Sequence, residues 1–234
     1  MVRASFPSTP QAGSSGHSPP TPRDARPVSP ATVARHARAA SAPRPAPFTV
    51  LIDNREGAPF SFRGIIREGH PLIVPIRRVY LPTGDYSACG EVVGPDGRAR
   101  TIDLRDRVVI ERKSLEDLFG SLAGKEGKRR ERFAAEHERM RDMIAFGGFA
   151  HVVIEASRDD ARNRPPGFGA HPHSVLSCSV SWPRRYGVPW HWDGTRNEAE
   201  QHAYELLADA WRQLVDKVGR TEGTNEGANK GANE

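Results

Sequence analysis

Six consecutive residues, Val108-Val-Ile-Glu-Arg-Lys113, constrain the fold of this chain more than any other segment. Three β-branched residues with nothing polar between them suit a strand covered on both faces, which is the environment of a central strand. The run ends in three charges, which such a strand can place only where the sheet gives way to solvent or to a site. Ser114 follows with the grammar of a helix start: it can cap while Asp117 completes a capping box, and Leu115, Leu118, Phe119 and Leu122 repeat at helical spacing until Gly124.

The same alternation extends along the chain. Residues 48–53 read as a buried strand that breaks at Asn54-Arg55-Glu56-Gly57, and 72–81 as one extended stretch ending at Pro82-Thr-Gly84. Two strands, 86–93 and 100–104, flank a hairpin turn at Gly94-Pro-Asp-Gly97. A charged helix over 128–146 carries the stripe Phe133, His137, Met140 and Ile144 and stops at Gly147-Gly148. A strand over 149–156, a loop over 158–170, a short helix over 173–182 and an extended piece over 188–192 follow. Thr195 and Glu198 form a second capping box, opening a last helix with Ala199, Ala203, Leu206, Leu207, Trp211 and Leu214 on one face. Strands alternating with helices predict an α/β domain with a central mixed sheet flanked by helices.

Charge at first suggests a basic protein, with a net +5 and a pI near 9.5. The excess is confined to residues 1–47, where six arginines face the single acid Asp24; from Phe48 onward 28 basic residues meet 28 acidic ones. The same 47 residues hold 10 of the 20 prolines and few large apolar side chains, too little to offset the entropy of ordering, so they read as a disordered tail. Residues 219–234, with the repeats Glu222-Gly-Thr-Asn, Glu226-Gly-Ala-Asn and Lys230-Gly-Ala-Asn, read as a second low-complexity tail, leaving 48–218 as one domain. No apolar run approaches the ~20 residues that span a bilayer, so a soluble, intracellular protein with no membrane partner is expected. An acid-poor start also fits an organellar transit peptide, though its prolines oppose the amphipathic helix such peptides form. Cys89 and Cys178 have no metal or redox spacing.

The chemistry lies in acids at strand ends: Asp53 and Glu56 after the first strand, Asp85 in Gly84-Asp85-Tyr86, and Glu111. Side chains alternate along a strand, so Glu111 and Lys113 share one face and Arg112 takes the other. Asp85 can join them from a neighbouring strand, giving the D…ExK arrangement of metal-dependent nucleases. A phosphodiester is a poor electrophile, so its hydrolysis needs a hard cation to polarise it and acidify a water. Carboxylates are the ligands that Mg²⁺ or Mn²⁺ prefer, and a lysine beside them can orient the water or neutralise phosphate. A solvated polar strand end is the bland reading of Glu-Arg-Lys.

Asp53-Asn-Arg-Glu56, Gly84-Asp85-Tyr86 and Glu111-Arg-Lys113-Ser-Leu-Glu-Asp117 together resemble the nuclease domain of XPF-type structure-specific endonucleases, whose signature is GD followed by ERKxxxD. The resemblance implies a restriction-endonuclease-like fold, Mg²⁺ or Mn²⁺ as cofactor, and DNA as partner and substrate, cleaved at branched, flap or single-strand-containing sites in repair or recombination. It implies Asp85, Glu111 and the Arg112 carbonyl as metal ligands, with Glu56 and Asp53 completing the acidic cluster. Lys113 would sit at the attacking water, Arg55 on phosphate, and Arg112 would support the site. It also implies a homodimer or heterodimer through the C-terminal helices.

Other readings stay open on the sequence. Asp53 and Arg55 could pair structurally, Asp85 could be a turn residue, and Asp117 could be only a capping acid. Lys125, Lys128, Arg129, Arg130 and Arg132, where cations oppose the helix dipole, are candidate DNA contacts or a solvated face. The helix-hairpin-helix module and helicase of some family members do not fit in the 16 residues after Val218 or the 47 before Phe48. An inactive nuclease-like partner subunit is the rival function, but such partners typically lose the GD or ERK residues that are intact here. A restriction-type nuclease that reads base sequence in the groove would share the mechanism.

Overall fold

The computed structural model describes residues 42–94, 96–123, 127–163 and 169–228, with side chains of the last helix to Val215. In chain order the elements are β1 (Arg44–Pro45), β2 (Thr49–Asp53), β3 (Ile66–Arg67), β4 (His70–Ile73), β5 (Ile76–Val79), β6 (Tyr86–Val93), β7 (Ala99–Asp103) and β8 (Val108–Lys113). They continue as α1 (Leu115–Leu122), α2 (Lys128–Ala145), β9 (Phe149–Ile154), α3 (Arg158–Asn163), α4 (Pro172–Tyr186), β10 (Trp190–Trp192) and α5 (Arg196–Ala228).

The main sheet runs β10-β9-β8-β6-β2-β5, with β7 paired to β6. It is mixed: β8 lies parallel to β9 and antiparallel to β6, and β2 is antiparallel to β6 and parallel to β5. As the apolar run predicts, β8 is central and covered on both faces. Val108 and Ile110 pack with Val50, Ile52 and Val153 against Tyr204, Leu207 and Trp211 of α5. Val109 points the other way, with Val152 and Ile154, toward Leu118 and Phe119 of α1, Phe133 and Met140 of α2, and Trp182 of α4. Trp211 and Leu214, on the apolar face of the last helix, are buried in this core.

Several boundaries differ from the expectation. The stretch 72–81 divides at Pro75: β4 joins a small sheet, β1-β4-β3, whereas β5 edges the main one. Proline has no N–H for a ladder, and its carbonyl instead accepts from the Val50 N–H at 2.9 Å. The loop over 158–170 contains α3, started by a capping box in which Asp160 N–H donates to Ser157 Oγ and Ser157 N–H to Asp160 Oδ2. Helix α4 continues past Trp182 to Tyr186, because both rings are buried beneath it. Order begins before residue 48, since Arg44–Pro45 pairs with Leu72–Ile73, and α5 runs past 218, where propagation adds one hydrogen bond per residue and no proline intervenes. Gly124, Lys125 and most of the first tail lie outside the described residues.

Histidines tie the layers together. His137 has no exposed surface; its Nδ1 lies 2.9 Å from the Phe133 carbonyl and its Nε2 accepts from Trp190 Nε1–H at 2.9 Å. Those partners fix a neutral ring with Nδ1 protonated. On the α5 face, His151 Nδ1 is 3.0 Å from His191 Nε2, and His202 Nδ1 is 2.6 Å from Asp193 Oδ1. Burial lowers His137 and His151 to about 4, and His191 is lowered by burial and by His202. His202 is raised by its hydrogen bond to Asp193. A depressed histidine binds its proton less well folded than unfolded, so its contribution is lost as pH falls below the unfolded pKa of ~6.5 toward 4. The raised His202 works in the opposite sense. The raised carboxyls around Lys113 work against the depressed rings as well, so the wild type is compared with His137→Gln in urea unfolding at pH 7.5 and 5: the stability advantage of the wild type should shrink by about 1.4 kcal/mol for each pH unit below ~6.5.

Candidate active site

The site forms where β6 stops pairing with β8. Tyr86 and Ile110 are paired across the two strands. One residue earlier, Asp85 N–H still donates to the Ile110 carbonyl at 2.9 Å, and the Asp85 side chain then takes the next position, its Oδ2 accepting from Arg112 N–H at 2.8 Å. N–H and C=O of one strand residue point to the same side, so the Arg112 carbonyl faces Asp85 beyond the last ladder bond. Gly84 makes this approach feasible. It has φ +65°, and a Cβ there would lie 2.0 Å from Val109 Cγ2 and 3.2 Å from the Ile110 carbonyl oxygen. Tyr86 anchors the strand, buried and stacked on Phe60, with its hydroxyl oxygen accepting from Phe60 N–H at 2.8 Å.

Glu111 is buried on the α2 side, with Lys113 Nζ 2.6 Å from its Oε1 and 4.7 Å from the centre of the Phe133 ring. Glu136 of α2 closes the group: its carboxylate accepts from Gly84 N–H at 3.1 Å and is within hydrogen-bonding reach of Glu111. Three carboxylates thus share one ammonium. Burial, and then the charge of Glu111, hold the Asp85 carboxyl well above the usual range. Burial pushes Glu111 up to about 7, with Lys113 pulling it down and Glu136 adding to the rise. Burial alone would lower Lys113, but the Glu111 carboxylate outweighs it and keeps the amine an ammonium.

The neighbouring acids are already neutralised. Asp53, 1% exposed, accepts from Arg55 N–H, Nε and Nη2 at 2.7, 2.9 and 2.6 Å and from Leu81 N–H at 3.1 Å. Burial acts to raise its pKa, and these hydrogen bonds outweigh that and bring it below the ordinary value. Arg112 crosses to the other face, as strand alternation requires. It makes a bidentate bond with Glu155 at 2.6 and 3.0 Å and reaches Glu56 Oε1 at 3.2 Å. Among the described residues no three His, Cys, Asp or Glu side chains converge as a metal site. Two carboxylates, Asp85 and Glu111, and the Arg112 carbonyl do fit a hard divalent cation, because these buried acids are raised by burial and by neighbouring carboxylates, Asp85 by Glu111 and Glu111 by Glu136, with one ammonium to balance them.

The ERCC4-domain profile matches residues 52–206, a span that contains every one of these groups. This chain belongs to the ERCC4-domain family. Its domain is an XPF-type nuclease domain, a kind found among DNA-repair nucleases. In structure it is similar to XPF from Aeropyrum pernix, at 18% identity over 73% of this chain and 68% of that one, with a TM-score of 0.47. It is also similar to XPF from Aeropyrum pernix in complex with DNA, at 18% identity over 73% and 66% of the two chains, with a TM-score of 0.44. No curated protein matches the sequence.

Within this ERCC4 domain the sequence-predicted residues divide. Asp85, Glu111 and Lys113 meet with the Arg112 backbone, whereas Asp53 and Arg55 form a pair beside them and Glu56 faces Arg112. Ser114 caps α1, its Oγ accepting from Asp117 N–H at 3.1 Å and donating to Asp117 Oδ2 at 2.9 Å, and Asp117 also lines a cleft of about 390 Å³ with Lys113, Ser121, Arg129, Arg132, Phe133 and Glu136. Lys128 lies with Arg129 on an adjoining hollow. Arg130 turns away, its guanidinium over the Trp182 ring at 5.6 Å and 3.4 Å from the Leu122 carbonyl. Lys125 is outside the described residues. Sequence reasoning missed Glu136 and Glu155. Both had a signal: Glu136 is one turn from Arg132 and three residues beyond Phe133 on the buried stripe, and Glu155 ends the apolar run of β9 as Glu111 follows the apolar run of β8. Removing the Arg112 guanidinium takes the ion pair from half-buried Glu56 and leaves half-buried Glu155 with Arg196 alone, so Arg112→Met should cost about 1–3 kcal/mol in urea unfolding, and Arg112→Lys should recover only part of that loss.

Proposed function

We propose that this chain is a divalent-metal-dependent endonuclease that hydrolyses phosphodiesters in branched, flap or single-strand-containing DNA. The observation that carries the reading is the unneutralised pair Asp85 and Glu111 beside the ammonium of Lys113, inside an ERCC4 domain. Asp85, Glu111 and the Arg112 carbonyl would hold Mg²⁺ or Mn²⁺, which when bound supplies Lewis-acid polarisation of the phosphoryl group and a more acidic water.

The chain's own groups then have separate tasks. Lys113, kept charged by Glu111 and set against the Phe133 ring, donates hydrogen bonds to oxygen: it orients the incoming water and neutralises charge that develops on phosphate. As an ammonium it has no lone pair with which to take a proton. Glu136 restrains Glu111 from the α2 side and tethers Gly84, which sets the height of Asp85. Arg129 and Arg132 line the cleft that opens on Lys113 and supply positive charge where the DNA backbone would approach.

Labelled fork, 3′-flap, bubble and linear duplex DNA, incubated with Mg²⁺, Mn²⁺ or EDTA and resolved on denaturing gels, test this directly. Metal-dependent nicking is expected. Glu111→Gln should abolish it, and Lys113→Ala should slow it by about a hundredfold or more. DNA binding without cleavage of any substrate by the wild type would assign the chain to the inactive-partner class instead.

A further inference from the structure

Tyr80 is the residue after β5, and it is 59% exposed although it sits beside the buried site. Singly exposed aromatic residues are ordinary; this one is distinguished by what lies on it. The guanidinium carbon of Arg55 is 4.9 Å from the centre of the Tyr80 ring. That guanidinium is fixed from behind by Asp53 at 2.9 and 2.6 Å and by the Leu81 carbonyl at 2.7 Å, yet its side chain remains 59% exposed. A second cation, Arg78, reaches round the same turn to the Glu56 carbonyl at 3.3 and 3.4 Å. The anchor is wired to the site, because Asp53 N–H donates to the Asp85 carbonyl at 2.8 Å.

We infer that Tyr80 and Arg55 form a stacking platform for an unpaired base of the DNA strand next to the cleavage position, an inference that rests on the nuclease reading. An aromatic ring with a held cation on one face offers its other face to a nucleobase, and stacking of this kind accepts any base. A base inside a duplex has both faces covered by its neighbours and cannot lie on the ring. The platform therefore selects single-stranded DNA, or a strand unpaired at a junction, while Arg55 and Arg78 meet the backbone phosphates. The Asp53 clamp means that little side-chain entropy remains to be lost on binding.

Fluorescence anisotropy in EDTA, where no hydrolysis occurs, separates this from the chemistry. The full-length chain is titrated onto one mixed-sequence oligonucleotide, as a single strand and as a blunt duplex. Tyr80→Ala and Tyr80→Leu should each weaken single-strand binding by about tenfold, Tyr80→Phe should stay within about twofold of wild type, and duplex affinity should change by less than about twofold in all three. No single-strand binding by the wild type, an equal loss on both probes, wild-type affinity in Tyr80→Ala, or full retention in Tyr80→Leu would each overturn the platform. A protein that stacks the single strand but cleaves nothing would refute the nuclease reading alone; one that cleaves but fails these comparisons would refute the platform alone.

Discussion

The site depends on a strand that ends one residue early. β6 reaches β8 at Tyr86, and from there the Asp85 carboxylate stands in for the next backbone partner, binding Arg112 N–H at 2.8 Å. That hydrogen bond holds Asp85 beside the charged end of the most buried strand in the sheet. It also leaves the Arg112 carbonyl without a strand opposite it, facing the same space. Gly84 is required because any side chain at its left-handed φ would enter Val109, and Val109 cannot retreat from the α1, α2 and α4 core.

Charge is distributed around this point in two ways. Asp53 has Arg55, and Glu56 and Glu155 share Arg112, with Arg196 also on Glu155, so these pairs behave as structure: they satisfy the carboxylates and brace the turn after β2 against the ends of β8 and β9. Among the described residues the one ion pair made by Asp85, Glu111 and Glu136 is that of Glu111 with Lys113. Burying like charges without compensation is costly, and a fold tolerates it where a ligand completes the balance. The contrast within a single cluster separates the acids that hold the fold from those available to a cation, a distinction that residue type alone does not make.

Much of this was legible in the chain itself. The uninterrupted Val108-Val-Ile110 run identified the central strand, and strand alternation put Glu111 and Lys113 together and Arg112 opposite, as found. The capping box at Thr195 is formed as its spacing required, whereas at Ser114 the Oγ accepts from Asp117 N–H and the Asp117 carboxylate takes the Ser114 hydroxyl instead of its N–H. What escaped was set by tertiary contacts. Phe60, Phe62 and Ile65 enter the core from an irregular segment with neither helical nor strand periodicity, held by Tyr86 and by Glu200, whose Oε1 accepts from Phe62 N–H. Pro75 redirects half of a stretch that reads as one strand. Arg130 follows the same basic run as Arg129 and Arg132 but lies on the far side of the helix against Trp182.

The central claim is that Asp85 and Glu111, and not the arginine-paired acids around them, hold the divalent ion. Electron paramagnetic resonance of Mn²⁺ titrated with protein measures this without any substrate. The wild type should remove about one free Mn²⁺ per chain from the spectrum, Asp85→Asn and Glu111→Gln should abolish that uptake, and Glu155→Gln should leave it in place. Undiminished uptake by Asp85→Asn and Glu111→Gln would contradict the claim.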